Sequence, residues 1–474
     1  LSVSESAAVS VSSTIGGKAH PTAATFDVVN PATGEVFATA PDASAADVDA
    51  AVRAAARAYP SWRSDAKTRR EVLNAAADAL LAALDEIVPI LTAEQGKPLA
   101  ESAREVQTAA MFFRYYADME LPREVLRDDE SAFVQLVRRP LGPVAVIAPW
   151  NFPLTLAGAK IAPALSAGNT VVLKPSPFTP LSSLKVGEVL REVLPAGVLN
   201  VISGGNEAGA AMTTHPLIRK ISFTGSIATG KAIAAAAAAD LKRTTLELGG
   251  NDPVIVLEGA DPVRVAEGVF PRAFSNSGQV CVAPKRVYAH ESLRPALVEA
   301  LAELARNAKV GDGSLAGTEL GPVNNRPQLE RVAELVDDAV RHGATVAAGG
   351  GVIDGKGYFY RPTILTDLGD GVRIVDEEQF GPALPVIGYR DLDDAVARAN
   401  ATHFGLGSSV WGEDLERAAA VAERLEAGTT WVNTHTARSL DEPFAGVKWS
   451  GIGVESGRWG LKGFTEFHLI HQAR

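Results

Sequence analysis

The sequence predicts an α/β protein: a doubly wound, Rossmann-like parallel sheet, a second α/β domain after it, and a small β arm. Three observations predict this. From Pro143 onward, short apolar runs alternate with helical segments, the pattern of a parallel sheet covered on both faces. A second rhythm of the same kind starts after the glycine pair Gly249-Gly250. Two strand patterns, at 131–139 and 464–470, belong to neither rhythm. With 474 residues and 49.5 kDa, the chain exceeds one ordinary core, so two domains or a little more are expected.

Composition narrows the function classes. The hydrophobic fraction is 46% and the charged fraction 21%, as in a soluble globular protein. The net charge is -11 with no Lys/Arg cluster, which argues against a nucleic-acid partner. No apolar run is long enough to span a membrane. The first twenty residues are Ser/Ala-rich with Glu5 and do not resemble a secretory signal, and the chain holds one cysteine, so the expected compartment is the cytoplasm. No metal site is expected.

In chain order, a flexible start is expected before Asp42. Ser44 and Asp47 then have the spacing of a helix cap, followed by alanine-rich helical patterns that end near Gly96-Lys97-Pro98. Another helix spans about 99–118, and Phe133, Gln135 and Val137 alternate as in a strand that pairs elsewhere. The runs at 144–148, 170–173, 198–202 and 220–223 are the strands of the first sheet. Ligands of such sheets sit beyond the carboxyl ends of strands. The residues there are Pro149-Trp150-Asn151-Phe152-Pro153, Lys174-Pro175-Ser176-Pro177, Gly204-Gly205 and Thr224-Gly225-Ser226. The last opens a helix, so it reads either as a simple capped turn or as a pyrophosphate cradle; it lacks the G-x-G-x-x-G fingerprint. Lys174 ends a strand in a neutral loop, a position that usually means a solvated tip. After Pro253 come helices near 294–308 and 328–342 and strands near 286–289, 360–365 and 384–389, with Glu377-Glu378-Gln379-Phe380 between the last two. The tail at 464–470 has an edge-strand pattern with exposed aromatics.

Two residues carry candidate chemistry by themselves. Cys281 is the only cysteine, so it is either an inert buried residue or a nucleophile. Glu247, between Leu246 and Leu248, is either turned to solvent by strand alternation or held in a cleft where desolvation makes it a base.

Taken together and in order, Pro149-Trp150-Asn151-Phe152-Pro153, Phe223-Thr224-Gly225-Ser226, Leu246-Glu247-Leu248-Gly249-Gly250, Gly278-Gln279-Val280-Cys281, Glu378-Gln379-Phe380-Gly381-Pro382 and Pro443-Phe444-Ala445-Gly446 resemble the NAD(P)-dependent aldehyde dehydrogenase superfamily. The resemblance covers roughly 26–467. It implies a nucleotide-binding domain (20–119 and 141–249), a catalytic domain (250–447) and an oligomerisation arm (120–140 and 448–474) that would build a homodimer or homotetramer. It also implies roles: Cys281 as nucleophile, Glu247 as general base, Asn151 as oxyanion donor and Glu455 as proton relay behind the base. Cofactor contacts would be Trp150, Lys174, Ser176, Gly225, Ser226, Gly249, Glu378 and Phe380.

The implied reaction oxidises an aldehyde to the acid, with NAD as cofactor. NADP is not excluded, because Pro177 stands where many NAD-preferring relatives have a ribose-binding glutamate. Val280 and Val282 flank the thiol and suggest a small or medium aliphatic or aromatic aldehyde. His435 and Arg438 would line the substrate mouth. Arg438 either grips a substrate carboxylate, as a semialdehyde would require, or pairs at the surface with Asp441 or Glu442, and His435 reads as a polar rim group. Two other readings compete: a catalytically idle homologue and a thiol esterase.

Overall fold

The computed structural model describes residues 9–474, so the reading of the first eight residues lies outside the described residues. Its first sheet has five parallel strands at its centre, in the order Arg243–Glu247, Lys220–Thr224, Pro143–Ile147, Thr170–Lys174 and Leu199–Val201. Every residue of the three middle strands is buried, because helices cover both faces. Chain order reverses between Pro143–Ile147 and Lys220–Thr224, and a crevice opens at such a switch point. The loops carrying Trp150, Asn151, Gly225 and Ser226 leave the sheet there.

The second sheet runs Thr345–Ala348, Thr363–Thr366, Ala383–Tyr389, Pro284–His290, Asp252–Val256, Gly407–Trp411 and Thr429–Val432, parallel except at its first strand. Arg243–Glu247 passes through Gly249 and Gly250 into Asp252–Val256. The carboxyl end of the first sheet therefore faces the amino end of the second. Cys281 precedes the strand Pro284–His290, and Glu378 and Phe380 precede Ala383–Tyr389, so these three depart from the carboxyl-end rule that locates Trp150, Asn151, Gly225, Ser226 and Glu247.

A third sheet joins Glu124–Asp128, Ala132–Pro140 and Thr465–Ala473, the last two paired over nine residues. Its edge strand leaves Phe467, Leu469 and Ile470 exposed. Among the described residues, no helix is long and apolar enough to cross a membrane.

Two expectations change. From Ser13 onward the chain is ordered: Ser13–Ile15 and Lys18–His20 form a hairpin beside Leu199–Val201, and Ala24–Asn30 pairs with Glu35–Asp42. Gly16 and Gly17, with φ of 61° and 75°, make the tight turn that only residues tolerant of positive φ allow. Within the stretch assigned to the arm, Gly451–Ile452 instead pairs with Leu246 and Glu247 and extends the first sheet. The cap at Ser44 forms as its spacing suggests, with Ser44 and Asp47 in a reciprocal capping box.

Candidate active site

A cleft of about 560 Å³ lies between the two sheets. Trp150, Asn151, Gly225, Ser226, Gly249, Cys281, Glu378 and Phe380 all line it, although they come from five separate segments. The close approach of glycine backbones explains part of this convergence. Gly278 has φ of 74°, and a Cβ on it would sit 2.2 Å from the Gly381 carbonyl, so the turn before Cys281 fits against the Glu378-Phe380 loop only as glycine. A Cβ on Gly249 would meet Glu378 Oε2 at 2.3 Å.

Cys281 is half-buried on the cleft wall, after a tight turn in which Asn276 and Ser277 adopt φ of 47° and 55°. Burial first, then Glu247, Glu378 and Asp252, push its thiol well above the usual range, while Arg438 pulls it down. Asn151 is buried, and its Nδ2 donates to the Gln279 carbonyl at 2.9 Å, which aligns the amide with the backbone leading to the thiol.

Glu247 is turned inward rather than toward solvent: it is 3% exposed, and neither carboxylate oxygen has a hydrogen-bond partner among the described residues. Burial pushes its carboxyl up to about 8, with Glu455 adding to the rise and Lys160 and Arg438 opposing it. Glu455 is buried too, its Oε1 accepting from Lys160 Nζ at 2.7 Å.

Sequence reasoning missed the residues that hold these groups. Lys97, fully buried, donates to the Asn151 carbonyl at 2.8 Å and pairs with Glu105. Glu105 Oε1 accepts from the N–H groups of Leu154 and Thr155, capping the helix Pro153–Ser166 that follows Asn151. Gln328 Nε2 donates to the carbonyls of Gln379 and Phe380, and Arg331 to that of Glu378, fixing a loop in which Phe380 has φ of 46°. The available signal was a lone lysine in an apolar helix, Lys160, and another at a helix end, Lys97.

The cleft has the features a dinucleotide requires. Ser226 caps the helix Ile227–Ala238 through the Thr229 N–H, so the helix presents its N-terminal dipole to the cleft. Glu378 Oε1 accepts from Gly250 N–H at 3.2 Å, and Trp150 and Phe380 stand edge to face with ring centres 5.3 Å apart. Lys174 and Ser176 stand apart from the cleft lining. Lys174 is no solvated tip: it is 5% exposed, its Nζ donates to the carbonyls of Pro175 and Gly204, and burial lowers it to about 8. Ser176 Oγ, half-buried, accepts from Phe178 N–H.

On the other side of Cys281, Val280 and the thiol pack against a buried apolar cluster of Val282, Leu406, Trp431 and Phe444. His435 does not stand at a rim. It is 0% exposed, held by Ser409 Oγ at 2.8 Å and the Val282 carbonyl at 2.9 Å, because Val282 and Trp431 close over it. Arg438 forms no ion pair with Asp441 or Glu442 among the described residues. Its guanidinium lies 3.6 Å from the Phe444 ring centre and donates to Ser456 Oγ.

A thiol, an amide and a buried carboxylate, gathered where two α/β sheets meet, define a two-domain α/β enzyme cleft. The model of the aldehyde dehydrogenase family matches residues 19–470. A mitochondrial aldehyde dehydrogenase of Leishmania tarentolae is 40% identical over 97% of this chain and 94% of its own length. A solved NAD+ complex of aldehyde dehydrogenase from Bacillus cereus superposes with a TM-score of 0.95, 36% identity, and coverage of 98% of this chain and 96% of that one. A solved NADP-dependent enzyme of E. coli does so with a TM-score of 0.95, 35% identity and 98% coverage of both chains. The chain belongs to the aldehyde dehydrogenase family, a class of aldehyde-oxidising enzymes.

Proposed function

We propose that this protein oxidises an aldehyde to the carboxylic acid with reduction of NAD(P), through a thiohemiacetal and then a thioester on Cys281. The observation that carries the reading is Cys281 on one cleft wall with Asn151 and the Glu378-Phe380 loop, and Glu247 buried at the adjoining strand end. As thiolate, Cys281 adds to the aldehyde carbon. The alkoxide meets the second N–H of the Asn151 amide, whose first N–H is held by Gln279, and the Cys281 backbone N–H, which has no acceptor among the described residues. When bound, the nicotinamide supplies the acceptor for the hydrogen and electron pair leaving that carbon. Ser226, Glu378 and Phe380 would hold the cofactor, Glu378 at the hydroxyls of the nicotinamide ribose. Glu247 takes a proton from water, whose hydroxide attacks the thioester, releasing the acid and the Cys281 thiolate. Glu455 with Lys160 would carry that proton away.

The apolar wall of Val280, Trp431 and Phe444 favours a small or medium aliphatic or aromatic aldehyde. A second reading rests on Arg438: stacked on Phe444 with no ion pair among the described residues, it suits an aldehyde bearing a carboxylate, as in a semialdehyde. The proposed partition keeps a nucleotide-binding domain (20–119 and 141–249) and a catalytic domain (250–447), and narrows the arm, expected at 120–140 and 448–474, to the sheet of Glu124–Asp128, Ala132–Pro140 and Thr465–Ala473, which would join copies into a homodimer or homotetramer. The cytoplasm is the proposed compartment, supported by the single free thiol.

The test is an aldehyde panel with NAD or NADP, following the reduced cofactor, with Cys281→Ala as control. Turnover that Cys281→Ala abolishes supports the reading, and no reduction with any aldehyde refutes it. Arg438→Leu should raise KM about tenfold for carboxylated aldehydes alone if the second reading holds.

A further inference from the structure

Lys285 is the second residue of the strand Pro284–His290, four residues beyond Cys281, with a side chain only 2% exposed. Its ammonium has no hydrogen-bond partner among the described residues. The nearest anion is Glu378, with Oε1 at 3.6 Å, and the Phe380 ring centre is 4.8 Å away. A buried, unsatisfied ammonium is costly, and an aliphatic side chain would fill the same space without that cost. The position is also mechanically tied to the cofactor loop, since Gln379 Nε2 donates to the Lys285 carbonyl at 3.0 Å.

The chemistry of a ribose explains why a cation belongs there. A vicinal diol donates two O–H groups, and an ionised carboxylate can accept both, whereas a protonated one gives up an acceptor to its own proton. Burial drives Glu378 toward the protonated form, with Asp252 adding to that push; Lys285 and the Gly250 N–H oppose it. Gly250 and Lys285 both approach Oε1, while Oε2 rests against Gly249 in the cleft.

We propose that Lys285 is a positioning residue for the cofactor: it acts through Glu378, holding that carboxylate ionised and oriented to accept the hydroxyls of the nicotinamide ribose. This rests on the reading above that Glu378 meets that ribose. Lys285 is not among the residues that line the cleft, whereas Glu378 is, so it would act through that carboxylate. Its effect is therefore confined to cofactor affinity and disappears when Glu378 can no longer ionise.

The test is a double-mutant cycle read by calorimetric titration with NAD, using wild type, Lys285→Met, Glu378→Gln and the double variant. Lys285→Met should weaken NAD binding about tenfold, the size of one weakened charge-assisted contact, and raise KM for NAD with KM for the aldehyde unchanged. In the Glu378→Gln background the same change should have no further effect. Lys285→Gln, which keeps polarity without charge, should reproduce the loss and serves if Lys285→Met fails to fold. Normal NAD affinity in both Lys285 variants, with weakened binding in Glu378→Gln, overturns this inference alone. An equal loss from Lys285→Met with and without Glu378 also overturns it. Normal affinity in Glu378→Gln overturns the underlying placement of the ribose.

Discussion

Replacing Glu247 by glutamine isolates the second half of the reaction. The change keeps the shape of a side chain that is 3% exposed and removes its ability to take a proton. In the native protein burial pushes this carboxyl to about 8, so about a tenth is ionised at pH 7 and about nine-tenths at pH 9. Only the ionised form accepts a proton from water, so thioester hydrolysis should rise about tenfold across that interval. In Glu247→Gln the rise should vanish and steady-state turnover should fall by roughly 10²–10⁴, while one equivalent of reduced cofactor per thiol still appears in the first turnover. Rapid-mixing absorbance with a saturating aldehyde at several pH values measures both phases. A stability readout accompanies it. Because the folded-state value lies above the ordinary 4.5, the native stability that Glu247 contributes is lost as pH rises from that value through about 8. The glutamine variant escapes this loss, so its Tm should gain on wild type between pH 5 and pH 9. A variant with wild-type turnover and the same pH slope would refute the assignment of the base.

Lys97→Met should cost roughly 3–5 kcal/mol in urea unfolding, because Glu105 is left buried without its cation. Adding Glu105→Gln, which removes the charge but keeps an acceptor for the Leu154 and Thr155 N–H groups, should recover much of that stability but not the rate, since Asn151 has lost the ammonium that fixes its carbonyl; full recovery of rate would show that Lys97 does not position the amide. Leu469→Asp, on the exposed edge strand Thr465–Ala473, should shift the protein to a smaller species in light scattering, with unfolding changed by no more than about 1 kcal/mol. An unchanged mass would place the subunit contact elsewhere.

The strands of the first sheet were legible as apolar runs, because a strand buried on both faces has no polar side to interrupt it. The opening hairpins were not, because the buried residues of the first strand, Ser13 and Thr14, are polar, and Lys18–His20 and Ala24–Asn30 are mostly exposed or half-buried, so they contribute little apolar signal. The chemical types of the site, one thiol, a carboxylate between leucines and an asparagine at a strand end, were equally readable. Lys174 and His435 were misplaced for a common reason: solvent exposure is decided by segments remote in the chain. The Gly204 carbonyl encloses the lysine from 30 residues away, and Ser409 and the Val282 carbonyl enclose the histidine from 26 and 153 residues away.

By itself, then, the sequence determined the two α/β rhythms, the punctuation between them and the kinds of group available for chemistry, since each depends on neighbours along the chain. The tertiary structure decided which of those groups meet. Lys160 and Glu455 lie 295 residues apart and bond at 2.7 Å, and Asn151 reaches Gln279 across 128 residues. Such pairings follow from how sheets and helices pack in space, and no local periodicity encodes them.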